Sequence, residues 1–226
     1  MHNAIAELFR ISLLIIGALF PIVNPLDNIP IFLSLTAGLS SGSRIIMSRK
    51  IAIYGFMLLI GSVLIGTHIL AFFGISLPVV QVGGGFVVIA AGWTLLNKKD
   101  EDGIARETAQ KHVEASYLSK RAFYPLTLPL TVGPGSISVA IAVGANRPPG
   151  SEARWYLPVA ALIGCTALAF VIYLTYRFAE PIGRAVGETS MSIIVRLSSF
   201  ILLCIGVQIT WNGASALLHT VLVNGR

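Results

Sequence analysis

Long apolar runs separated by short polar joints dominate the chain. Four of them, roughly residues 51–73, 79–96, 155–176 and 197–223, contain no charged residue. Each reaches or approaches the ~20 residues that an α-helix needs to cross a bilayer core. Two more, roughly 8–39 and 122–145, are long enough but interrupted by proline. The pattern predicts an all-α integral membrane protein of six transmembrane helices. It forms a single domain over 1–226, with a first half of about 1–97, a polar loop of about 98–121 and a second half of about 122–226. The apolar run that follows Arg10 is not followed by a small-residue cleavage pattern and continues past Pro21, so it reads as the first part of a span rather than a signal peptide.

The two interrupted runs match each other. Residues 20–30 read "FPIVNPLDNIP" and residues 124–134 read "YPLTLPLTVGP". At an offset of 104, Pro21, Pro25 and Pro30 fall on Pro125, Pro129 and Pro134, and Phe20 falls on Tyr124. These two segments hold six of the chain's eleven prolines. The copies are spans 1 and 4. Three spans per half invert the second half relative to the first, which predicts a 3+3 inverted repeat of the kind used by secondary transporters, with sites near the bilayer midplane on discontinuous helices. Phe86 and Gly92 match Phe200 and Gly206 at an offset of 114, a weaker sign in spans 3 and 6.

Proline removes a backbone donor and clashes with the carbonyl one turn back. The six prolines are therefore read as helix breaks. Opened backbone is tolerated at membrane depth only inside the protein or beside a water-filled cavity, so spans 1 and 4 should face each other. The second half-helices would start near Asn28–Pro30 and Gly133–Ser136. Their unpaired amides and positive dipole ends suit a carboxylate. Asn24, Asp27, Asn28, Thr127, Thr131, Gly133, Gly135 and Ser136 are the candidate substrate-binding residues, with Ser138 a further polar neighbour and the small residues limiting side-chain size. Freed carbonyls around Ile22, Val23, Leu126 and Thr127, with Asp27, are the candidate set for a coupling cation, sodium or proton. Asp27 is the only acidic residue inside a span interior. An intramembrane ionisable group is by default a functional hypothesis. A substrate ammonium, a sodium ion and a proton are open to it, as is a purely structural role capping the half-helix. Residues 112–123, which match the first half of span 1, are polar. Either they form a surface helix, or span 4 begins only near Ala122 with its break displaced toward the cytoplasm.

Composition agrees with this picture. The chain is 55% hydrophobic and 12% charged, with a mean hydropathy of +0.81, where a soluble domain carries about 25% charged residues. A net charge of +6 raises the question of nucleic acid, but the basic residues sit between the apolar runs without an aromatic patch. Twelve of the sixteen Lys and Arg fall in the loops after spans 1, 3 and 5. The remaining four are Arg10, Arg147, Arg154 and Arg226. Cytoplasmic loops carry the basic excess, so both termini are expected outside. Cys165 and Cys204 lie in apolar runs without metal-ligand spacing, and neither a metal nor a structural disulfide is expected. No catalytic constellation is present, so the chain is not read as an enzyme, and no cofactor is called for beyond the cation.

"ALFPIVNPLDNIPIFLSLT" and "YPLTLPLTVGPGSIS" closely resemble the two signature segments of the MarC family of bacterial six-span membrane proteins. "VGGGFVVIAAGW" and "RLSSFILLCIGVQITWNG" resemble spans 3 and 6 of that family. The resemblance implies a bacterial inner-membrane protein, linked by name to multiple antibiotic resistance. It also implies transport of neutral amino acids of glycine, alanine or serine size, coupled to a cation gradient. Many relatives carry glycine or another small residue at the position of Asp27, which sets this carboxylate apart from a mechanism the family would share. The expected partners are a small zwitterion, the lipid bilayer and a homo-oligomeric copy. The competing readings are an exporter or facilitator of other small metabolites or drugs, and a non-transporting membrane subunit.

Overall fold

The computed structural model describes residues 2–36, 39–97, 120–145 and 153–224, and every element among them is helical. The first half holds α1 (His2–Val23), the short α2 (Ile29–Leu35), α3 (Ser41–Phe72) and α4 (Leu77–Leu96). The second begins with a widely wound segment, α5 (Ala122–Thr131), and continues through α6 (Pro134–Ala145) and α7 (Ala153–Arg177). It ends in α8 (Ala179–Val186) and α9 (Glu188–Asn224). Among the described residues, five stretches are long and apolar enough to cross a membrane: Ile5–Val23, Ser41–Phe72, Leu77–Thr94, Trp155–Arg177 and Ser192–Thr220. The sixth run, 122–145, is divided between α5 and the shorter apolar helix α6. The polar arm at 112–119, most of the 98–121 loop and Arg147 lie outside the described residues.

Large apolar side chains face outward, among them Phe9, Leu13, Met57, Phe72, Phe86, Phe170 and Phe200. That is the pattern of helices solvated by lipid, where small residues mediate helix contacts. The packing fixes helix directions. Ser12 of α1 donates to the Ala160 carbonyl of α7 at 3.5 Å, and Ile15 abuts Gly164 one turn further along both. α1 and α7 therefore run parallel. Val132, just before α6, abuts Gly55 of α3. Further along both helices, Ile141 and Gly144 abut Gly66 and Val63, so α3 and α6 also run parallel. α4 and α9 are antiparallel and nearly in backbone contact. A Cβ on Gly92 would stand 2.8 Å from the Leu203 nitrogen and 3.0 Å from the Ser199 carbonyl.

Arg44, near the start of α3, pairs with Glu180 just past the end of α7 at 3.0 Å, and Glu180 also pairs with Arg184 of α8. This end of the bundle gathers basic side chains. The start of α1 and the end of α9 are each at the opposite end. Ser40 starts α3 by accepting a hydrogen bond from the Ser43 amide at 3.2 Å, a conventional N-cap that closes the turn out of α2.

Candidate functional site

α1 does not break at Pro21, which lies inside the helix. It unwinds three residues later, at Asn24, whose φ of 33° is left-handed and whose amide donates to the Phe20 carbonyl at 2.9 Å. Asparagine is one of the few residues with a side chain that accepts this conformation as a helix terminator, and a following proline cannot continue the helix. α2 begins at Ile29, and Pro30 falls in its first turn, where a missing donor costs nothing.

The second copy unwinds by a different route. Tyr124 (φ −126, ψ 126) and Leu128 (φ −115, ψ 119) are extended inside α5. Each precedes a proline, and proline pushes its predecessor out of the helical region. The two threonines bond within these wide turns. The Thr127 hydroxyl donates to the Ala122 carbonyl at 2.6 Å and the Thr131 hydroxyl to the Leu126 carbonyl at 2.7 Å, each five residues back. Pro134 is the first residue of α6, and the Ser136 hydroxyl donates to the Gly133 carbonyl at 2.9 Å.

Asn28 brings the two unwound segments together. Its side-chain amide donates across to the Leu130 carbonyl at 3.2 Å, and at home to the Asn24 carbonyl at 3.3 Å and the Val23 carbonyl at 3.4 Å. Tyr176, in the last turn of α7, closes the junction. Its hydroxyl stands beside Asn28 and lies 2.7 Å from that of Thr131. Its ring stacks on Phe32 of α2 at 4.7 Å. Asp27 is 3% exposed. Its Oδ2 accepts from the Asn24 amide at 2.5 Å, Ser198 of α9 stands beside the carboxylate, and Oδ1 has no partner among the described residues.

Several sequence-based expectations change here. Asp27 does not cap α2: one oxygen is held by Asn24 and the other is unpaired. The carbonyls of Val23, Leu126 and Thr127 each already accept a hydrogen bond. Val23 and Leu126 accept from Asn28 and Thr131, and Thr127 accepts from the Val132 amide at 2.8 Å. Ile22 is held in the last turn of α1. Of that set, Asp27 has a side-chain oxygen without a partner among the described residues. Gly135 is small because α6 packs on α4, where a Cβ would overlap Val88, and not because it lines a cavity. Gly133 is half-buried at the start of α6. Ser138 is buried against Gly84, and its hydroxyl has no partner among the described residues.

An open cavity of about 430 Å³ lies at the other end of α6, lined by Leu77, Gln81, Val139, Ala142, Val143 and Ala145. Tyr176, Phe32 and Ser198 complete the junction but were not read from the sequence. Tyr176 precedes Arg177 and reads as a span end. A signal for Phe32 was available: Asn28, Phe32 and Thr36 recur every fourth residue, on one face of a helix, and all three are buried.

A helical chain with apolar stretches long enough to cross a membrane agrees with the family comparison. Residues 9–218 match the model of the MarC family integral membrane protein. The chain belongs to the MarC family. Among its relatives are the inner membrane protein MarC of Escherichia coli (strain SMS-3-5 / SECEC), that of Escherichia coli (strain K12) and that of Shigella flexneri. Each is 30% identical over 217 residues, covering 95% of this chain and 98% of the relative. No solved structure matches. The MarC match spans both proline segments, α4 and nearly all of α9.

Proposed function

We propose that this MarC-family chain is an inner-membrane secondary transporter of small neutral amino acids, of glycine, alanine or serine size, driven by a sodium or proton gradient. The observation that carries the reading is the Asn28 bridge. It ties the unwound end of α1 to the unwound end of α5, so that two discontinuous helices from opposite halves share one buried polar junction. Such junctions are where transporters of this class place their sites. The helix directions support an inverted repeat. At the level of whole spans, exchanging the halves turns the parallel pairing of spans 1 and 5 into that of spans 4 and 2 and maps the antiparallel pair α4–α9 onto itself. In this reading the substrate carboxylate meets the amides that open α6 at Gly133–Ser136, and its ammonium meets the Asp27 oxygen that has no protein partner. The cation is held at the same carboxylate with Ser198.

Asp27, Asn28, Thr127, Thr131 and Ser136 are each 6% exposed or less. The reading therefore takes this arrangement as the form closed at the basic end. That same close packing favours a second reading, a non-transporting membrane subunit in which the junction only holds the helices together.

Reconstitution separates the two. Proteoliposomes should accumulate labelled glycine or alanine when sodium and pH gradients are imposed separately, and one of the two gradients should drive uptake. Asp27→Asn should abolish the dependence on that gradient. If no labelled small neutral amino acid accumulates under either gradient, in protein that is folded and correctly inserted, the transporter reading fails and the subunit reading stands.

A further inference from the structure

α9 carries two side-chain amides on the face that turns away from the rest of the bundle. Gln208 and Asn212 are both exposed, and the Gln208 amide donates to the Asn212 side-chain oxygen at 2.8 Å. Neighbouring Gly206 and Thr210 pack against Gly85, the middle of the apolar window Leu77–Thr94 of α4. The pair therefore sits at mid-height of the apolar band. Hydrocarbon offers an amide no partner at that depth. Whichever way the two groups are turned, one bond between them leaves one carbonyl oxygen and one NH2 unused.

The face around them has its own periodicity. Ile201, Cys204, Gln208, Trp211, Ser215 and Leu218 alternate at spacings of three and four, and all are exposed. That is the spacing with which one helix packs along its length against another, where a polar side chain, once covered, sets register and stoichiometry. The opposite face, through Ser199, Leu202, Gly206 and Gly213, is buried, and its glycines abut α4. The outer seam is therefore not needed for the fold of one chain.

We propose that this seam of α9 is a homodimer interface, in which α9 packs in parallel on α9 of a second copy about a twofold axis along the membrane normal. A twofold presents one surface to itself. The spare oxygen of each Gln208–Asn212 pair then meets the spare NH2 of the other, closing four amides into one hydrogen-bonded ring. A second copy is the occupant because the unused groups are a matched donor and acceptor. They satisfy each other and leave no residual charge for a different partner to answer. Cys204 and Ser215, on either side of Gln208, are small enough for the two backbones to approach.

The test is subunit counting by stepwise photobleaching, with a fluorescent protein fused to the full chain in liposomes at low protein density. The wild type should bleach in two steps. The double variant Gln208→Leu with Asn212→Leu should shift the equilibrium toward single steps by about tenfold or more. Ser215→Trp, which adds bulk at an exposed position and leaves both amides in place, should do the same. Phe170→Trp, on the outer face of α7, should remain dimeric. Single-step bleaching of the wild type would overturn the proposal and leave the seam to lipid or to a different membrane protein. Two-step bleaching that survives both α9 variants would place the interface elsewhere and overturn it equally.

Discussion

Asn28 spends one amide on three carbonyls drawn from two parts of the chain, and its neighbours depend on it. Truncation to alanine would strand the Leu130 carbonyl in a buried junction. Leaving a buried group unsatisfied costs about 1–3 kcal/mol, so Asn28→Ala should lower the thermal unfolding midpoint in detergent by several degrees. Tyr176→Phe keeps the stack on Phe32 and loses only the hydroxyl shared with Thr131, for a net cost of about 0.5–1.5 kcal/mol. Tyr176→Ala also opens a cavity and should cost about 3–5 kcal/mol. A denaturation series ordering the three variants as Tyr176→Phe least and Tyr176→Ala most would bear this out. Equal effects of the two Tyr176 variants would show that the ring stack contributes nothing. Asp27 and Asn28 were legible beforehand because polar groups in an apolar run have few explanations. Tyr176 was not, because an aromatic next to an arginine at a span end is what an interfacial anchor also looks like.

The proline segments were legible as elements but not in their detail. Matching prolines predict a break at each segment; in the first, α1 runs through Pro21 to Val23 and the chain unwinds at Asn24. A single proline costs a helix one hydrogen bond and some steric relief, which the packing of α1 on α7 absorbs. A left-handed asparagine before a second proline is what terminates it. The threonines of α5 looked like donors facing a substrate. They are consumed in closing the wide turns, each on a carbonyl five residues back, a geometry that residue spacing does not carry. The α4–α9 pair makes a sharper element-scale prediction. Gly92 lies against the backbone of α9, so Gly92→Val must push the helices apart. Overpacking costs about 1–3 kcal/mol, more where the obstacle is backbone. The variant should lose thermal stability, while Gly83→Val, where a Cβ meets nothing within 4 Å, should keep it.

For the molecule as a whole, the fold class was readable from the lengths of the apolar runs, because lipid leaves helices as the only way for such runs to satisfy their backbones. α1 starts and α9 ends at the same end of the bundle, and we propose, from the basic excess of the loops, that this end faces outside the cytoplasm. Reporter fusions active only outside the cytoplasm should therefore work at both termini and fail in the 98–121 loop. Activity at one terminus alone would contradict the arrangement of helices.

The parallel pairs carry a further consequence. α1 with α7, and α3 with α6, each join a helix from one half to a helix from the other. Neither half can complete these pairs from its own residues. A chain severed within residues 98–119 should behave as two mutually dependent pieces. Expressed together, 1–97 and 120–226 should assemble and co-purify as a stable complementing pair. Expressed alone, each should be degraded, because the surface that its counterpart covers would be left bare.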